Sequence, residues 1–122
     1  MVRQPVIAVI DDDEAFRLAL VESLCSLPYD ARGFASAEEF IAAEGEEVWD
    51  CIITDIHMPG MSGFDLKRLL VSHQSTVPVI MITASADRNL ERRAFASGIV
   101  GLLRKPFESN ALVGCLESAM KV

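Results

Sequence analysis

Asp11-Asp12-Asp13, Asp55, Thr83 and Lys105 are the residues whose chemistry stands out, because each follows or ends a short apolar run. Clustered carboxylates are hard oxygen donors suited to a divalent cation such as Mg2+. A lysine and a hydroxyl nearby suit the oxygens of a phosphoryl group. Three successive aspartates repel one another and raise one another's pKa unless a cation intervenes. A triple acid ahead of a helix also caps it and complements its dipole. The residues alone leave these two readings of Asp11, Asp12 and Asp13 level.

The elements that must position these groups are visible in the hydrophobic pattern. Val6–Ile10, Cys51–Thr54 and Val77–Ile82 are short, rich in valine and isoleucine, and not polar-alternating, as buried parallel strands are. Tyr29–Phe34 and Gly101–Arg104 complete five strands, the last delivering Lys105-Pro106. Between them, 14–27 places Phe16, Leu20, Leu24 and Leu27 on one helical stripe, and Pro28 ends it. Ser36 and Glu39 form a capping-box pattern that starts a second helix. Residues 63–72, 87–97 and 109–120 read as three more helices, the fourth thinly apolar and ending at Gly98. Five strand-helix repeats with right-handed crossovers predict a three-layer, doubly wound (flavodoxin-like) α/β sandwich with a five-stranded parallel sheet. In such a sheet the strand C-terminal ends share one edge, where ligands bind at the switch in strand order.

Length and composition bound the rest. A chain of 122 residues with 51% hydrophobic residues is expected to form one domain, 1–122, with a substantial core. A formal net charge of -7 disfavours direct nucleic-acid binding, which depends on Lys and Arg releasing counterions from phosphates. Neither a membrane span of about 18 apolar residues nor a signal peptide is apparent, so a cytoplasmic address is expected. Cys25, Cys51 and Cys115 lack CxxC spacing and read as buried, reduced thiols. His73 reads as a solvated helix end, and the acidic 44–50 segment as a solvated loop without chemistry.

The ordered set of an apolar run into Asp11-Asp12-Asp13, Thr54-Asp55-Ile56-His57-Met58-Pro59-Gly60-Met61-Ser62-Gly63, Thr83-Ala84 and Lys105-Pro106 resembles the CheY-like receiver domain of bacterial response regulators. The stretches DDDEAFR, FASAEEF, DIHMPGMSGFDL and KPF are similar to its FixJ-type subgroup. The resemblance implies two-component signalling: Asp55 as the acceptor of a phosphoryl group from a histidine kinase, a phosphotransfer protein or a small acyl phosphate. It further implies Mg2+ held directly by Asp12 and Asp55, through water by Asp11, and by the backbone carbonyl of His57. Lys105 and Thr83 would contact the phosphoryl group, and the Lys105–Pro106 bond would be cis. Output would pass through the fourth helix, fifth strand and fifth helix, where phosphorylation promotes homodimers in this family. Leu102 departs from the family, which usually carries an aromatic residue there. Two other functions compete. A haloacid-dehalogenase-like phosphatase would use Asp11 as nucleophile and Asp13 as acid, and a phosphorylation-independent receiver-like module would only bind partners.

Overall fold

A computed structural model describes residues 3–120. Five strands, β1 (Val6–Ile10), β2 (Asp30–Phe34), β3 (Cys51–Asp55), β4 (Val79–Thr83) and β5 (Gly101–Arg104), form one parallel sheet in the order β2-β1-β3-β4-β5. Five helices alternate with them: α1 (Glu14–Cys25), α2 (Ala37–Ala43), α3 (Gly63–Ser72), α4 (Arg88–Ala96) and α5 (Ser109–Ala119). The expected doubly wound sandwich is the observed one.

Alternating side chains of the same strands feed two cores, because successive residues of a strand point to opposite faces. Val6, Ala8 and Ile10 join Ile52, Phe40, Leu66 and Leu70 beneath α2, α3 and α4. Ile7 and Val9 join Ile53, Ile80, Ile82, Leu24, Leu112 and Leu116 beneath α1 and α5. Every residue of β1, β3 and β4 is buried, which explains why their sequences are continuous apolar runs.

Local chemistry fixes the element ends. Asp13 caps α1, accepting from the Phe16 amide at 3.1 Å. The helix stops at Cys25, so Leu27 lies beyond it, half-buried. At Ser36 the serine half of the expected box is present, with Oγ accepting from the Glu39 amide at 3.0 Å. A full reciprocal box forms instead at α3, between Ser62 and Asp65. β4 starts at Val79, later than expected, since Pro78 has no N–H to give to the ladder; its carbonyl still accepts from the Ile52 amide. α4 is the thinly anchored helix expected, with Ala94 its one fully buried residue and Phe95 49% exposed.

Two expectations need correction. Cys51 is buried, but Cys25 is exposed and Cys115 only half-buried. Cys25 follows Leu24, and one helical step of about 100° carries it off the apolar stripe. The 44–50 segment is not merely a solvated loop: it makes a 3-10 turn at Glu44–Glu46, buries Trp49 against Phe34 and Phe40, and presents Asp50 to the Val6 amide at 2.8 Å and to Arg3. His73 does cap the end of α3 in solvent, 3.8 Å from Glu44. No helix among the described residues is long and apolar enough to cross a membrane.

Gly63 lets α3 start directly against the end of β3. Its amide donates to the Ile56 carbonyl at 2.9 Å, and a Cβ there would lie 2.6 Å from the Asp55 carbonyl oxygen and 3.0 Å from the Ile56 Cα. Backbone atoms cannot step aside as a side chain would. Gly63→Ala is therefore expected to destabilise the protein by about 1–3 kcal/mol through overpacking, read as a lower urea midpoint with an unchanged slope. An unaltered midpoint would show that α3 can slide without cost.

Candidate functional site

β1 lies between β2 and β3, so the chain order reverses at the C-terminal ends of β1 and β3, and the acidic residues gather in that crevice. Ile10 pairs with Thr54 in the sheet, which sets Asp11 beside Asp55. Asp11 is fully buried: its Oδ1 accepts from the Asp13 amide at 2.9 Å and its Oδ2 from Lys105 Nζ at 2.8 Å. Asp55 is nearly buried, its Oδ1 accepting from the His57 amide at 3.2 Å and its Oδ2 from Lys105 Nζ at 3.3 Å. Asp12 is exposed, yet one carboxylate oxygen each of Asp11, Asp12 and Asp55 lies within 4.8 Å of the others. The triple acid thus divides its labour. Asp13 caps α1, while Asp11 and Asp12 face Asp55.

Burial and the Asp11 charge push the Asp55 carboxyl above its ordinary range, against the pull of Lys105. Burial works against the Lys105 ammonium, but its hydrogen bond to Asp11 and the charges of Asp55 and Asp11 outweigh that and raise its pKa. The ammonium is therefore the cation that makes the carboxylate cluster tolerable. Lys105 follows β5, its amide donates to the Thr83 carbonyl at 2.8 Å, and the Lys105–Pro106 bond is cis.

Thr83, also buried, ends β4, but its side chain lies outside the hydrogen bonds that join the carboxylates to Lys105. Its hydroxyl oxygen accepts from the Ser85 amide at 3.0 Å, Ser85 Oγ from the Asp87 amide at 3.1 Å, and Asp87 Oδ1 from the Asn89 amide at 2.8 Å. This ladder runs from the sheet edge to the first turn of α4. Thr83, Leu102, Arg104 and Phe95 border a cavity of about 330 Å³ beside it.

Sequence reasoning missed several supports. Arg17 donates to the Asp11 carbonyl at 2.8 Å, Lys105 Nζ sits 4.1 Å from the centre of the Phe16 ring, and Glu38 accepts from the Met61 amide at 3.0 Å, tethering α2 to the loop after β3. Phe16 was legible only as part of the α1 stripe. Gly60, next to Met61, has φ 76°, the left-handed region that favours glycine.

The raised Asp55 carboxyl has a definite linkage sign. In metal-free protein, as pH falls from neutral through its folded-state pKa, the folded state binds a proton that the unfolded state does not. Stability is gained until pH approaches the unfolded value of about 3.9. Asp55→Asn is expected to stabilise the metal-free protein at neutral pH by on the order of 1 kcal/mol, an advantage that shrinks toward pH 4. Thermal melts of both proteins across that range check it; an advantage that grows as pH falls would contradict the electrostatic account.

Comparison with known proteins agrees with this fold. The family profile described as response regulator receiver domain matches residues 7–117. The transcriptional regulatory protein FixJ of Bradyrhizobium diazoefficiens is 35% identical over 115 residues, covering 94% of this chain and 56% of that protein. The response regulator protein TmoT of Ectopseudomonas mendocina is 32% identical over 120 residues, covering 98% of this chain and 54% of that protein. The chain therefore spans about half the length of these curated relatives. The crystal structure of FixJ-N superposes with a TM-score of 0.90 at 29% identity, covering 98% of this chain and 96% of that one. Matched over most of its length by this profile and by relatives at 32–35% identity, and sharing their fold, the chain belongs to the response regulator receiver domain family of two-component signal transduction.

Proposed function

We propose that the chain, as a single receiver domain over 1–122, takes a phosphoryl group onto Asp55 from a histidine kinase or phosphotransfer protein, and from small acyl phosphates unaided. The observation that carries this reading is the convergence of Asp11, Asp12 and Asp55 on one another with Lys105 bridging the two buried carboxylates. Between the two buried acids, Asp55 is the better nucleophile. Asp11 is wholly buried and held at 2.9 and 2.8 Å, whereas the Asp55 side chain keeps 12% of its surface open and its two hydrogen bonds are longer, 3.2 and 3.3 Å. This disfavours the phosphatase alternative, which needs Asp11 to attack.

Three carboxylates with oxygen-only donors fit Mg2+, with Asp12 exposed for exchange; Asp12, Asp55 and the His57 carbonyl would hold it directly, and Asp11 through water. When bound, Mg2+ would supply positive charge against the oxygens of the transferring group. An Asp55 carboxylate oxygen attacks phosphorus as the P–N bond of phosphohistidine, or the P–O bond of an acyl phosphate, breaks. The leaving imidazole takes up a proton, and the leaving acyl group departs as a carboxylate. Lys105, released in part from its pairing with Asp55, contacts the phosphoryl oxygens. The new group adds about -1.5 to -2 charge and three acceptor oxygens, to which Thr83 donates its hydroxyl proton.

Turning Thr83 toward that group weakens its acceptance from the Ser85 amide, and the ladder passes the change to Asp87 and the start of α4. A phosphorylation-dependent homodimer or partner contact through α4, β5 and α5 would report it, and a cytoplasmic setting goes with this role. Leu102 is half-buried against the core and has no ring or hydroxyl to follow Thr83, so the change travels through backbone and packing.

Incubation with acetyl phosphate and Mg2+, followed by borohydride trapping and mass spectrometry, is expected to find Asp55 modified and Asp55→Asn unmodified. Modification of Asp11 instead would sink the assignment. Thr83→Ala is expected to keep phosphorylation but lose most of any phosphorylation-induced association seen by light scattering. Leu102→Ala is expected chiefly to lower stability, by about 1–3 kcal/mol for a half-buried leucine, near or below the lower end for fully buried sites. A Thr83→Ala protein that associates like wild type would refute the relay.

A further inference from the structure

We propose that Phe16 is a positioning residue for Lys105, holding the ammonium over the acidic pair through the face of its ring. The inference rests on the phosphoryl-acceptor reading of Asp55. Lys105 Nζ lies 4.1 Å from the Phe16 ring centre while it donates 2.8 Å to Asp11 and 3.3 Å to Asp55. A ring face attracts a cation within about 6 Å of its centre, and more strongly where water is excluded. Here the lysine side chain is only 19% exposed.

The ring is itself braced. Phe107, two residues beyond Lys105, meets Phe16 edge-to-face with centres 5.9 Å apart and planes at 81°. Phe16 also sits in the first turn of α1, its amide held by the Asp13 cap at 3.1 Å. Thus the helix that follows the triple acid carries the ring, and the loop that carries the lysine supplies the brace. Asp11 and Phe16 consequently approach the ammonium from one segment of chain.

The ring does something that a third carboxylate would not. Lysine is a compact charge on a flexible four-carbon stem, and each acceptor that fixes it consumes an N–H. An aromatic face restricts the stem without adding an acidic group to an already crowded site, leaving the N–H donors for oxygens. Removing the ring while keeping volume should therefore leave the fold intact and slow the step in which the ammonium meets transferring phosphoryl oxygens.

The test uses the 122-residue protein with acetyl phosphate and Mg2+ as the probe. Replacing Phe16 by its di- and trifluorinated analogues, which keep its shape while weakening the ring's negative face, is expected to lower the phosphorylation rate constant stepwise. The total loss should be about two- to fivefold, with melting temperature unchanged. Phe16→Leu is expected to match the most fluorinated variant, and Phe16→Trp to retain the wild-type rate. In a Lys105→Ala background, Phe16→Leu is expected to change nothing further, since the ring then has no cation to hold. Equal rates across the fluorinated series, or a Phe16→Leu loss that persists without Lys105, would overturn the proposal. Failure of wild type to be phosphorylated at Asp55 would instead overturn the acceptor reading on which it rests.

Discussion

Everything at the acidic edge of the sheet depends on one unfavourable interaction, the mutual repulsion of Asp11, Asp12 and Asp55. Two unit charges about 5 Å apart in a partly dry site repel by roughly 3 kcal/mol at an effective dielectric constant near 20. Asp11 cannot escape into solvent, and Asp55 barely can. The Lys105 ammonium relieves the strain by pairing with both. A site under that tension has a strong thermodynamic appetite for further positive charge. In the proposed reading, that appetite is what would draw Mg2+ into the crevice, and the cations there would then receive the phosphoryl oxygens.

The scaffold explains how such a cluster persists. β1, β3 and β4 are buried on both faces, so the strand ends that bear Asp11, Asp55 and Thr83 cannot relax apart without disturbing two cores. β5 and β3 are separated by β4, roughly 10 Å at the usual strand spacing. Only a long side chain arriving from β5 can touch both carboxylates, which accounts for a lysine at position 105. Gly63 and Gly60 act at the same edge in the opposite sense, removing Cβ atoms where α3 and the loop after β3 press close to Asp55 and Glu38.

Most of the fold was legible because parallel strands buried on both faces leave long apolar runs, and helices leave stripes. The shared C-terminal edge brings Asp11, Asp12, Asp55 and Lys105 to one side of the sheet, and the observed order, with β1 beside β3, is what makes them meet. What escaped was contact between segments whose local patterns were already explained. Phe16 satisfied the α1 stripe, so nothing in its spacing marked it as the seat of Lys105. Trp49 and Asp50 lay in an acidic stretch whose overall polarity masked one buried ring and one structural carboxylate. Cys25 failed for a simpler reason: being one residue from Leu24 places it on a different side of the helix.

The thin attachment of α4 gains meaning beside this rigidity. Segments with few buried apolar contacts open and shift at the lowest free-energy cost. α4 contributes Ala94 to the core and otherwise leans on Leu90 and on Arg93 stacked over Phe64. The Thr83–Ser85–Asp87 ladder ends on this weakly held helix, and the cavity of about 330 Å³ beneath Phe95 gives its first turns room to move. In the proposed reading, then, the acidic edge stays fixed because two cores hold it, and the response appears in α4 because so little does. The absence of an aromatic residue at Leu102 strengthens this division: with no ring to carry the change along β5, the Thr83 side chain is left with the hydrogen-bond ladder into α4 as a polar path away from the site.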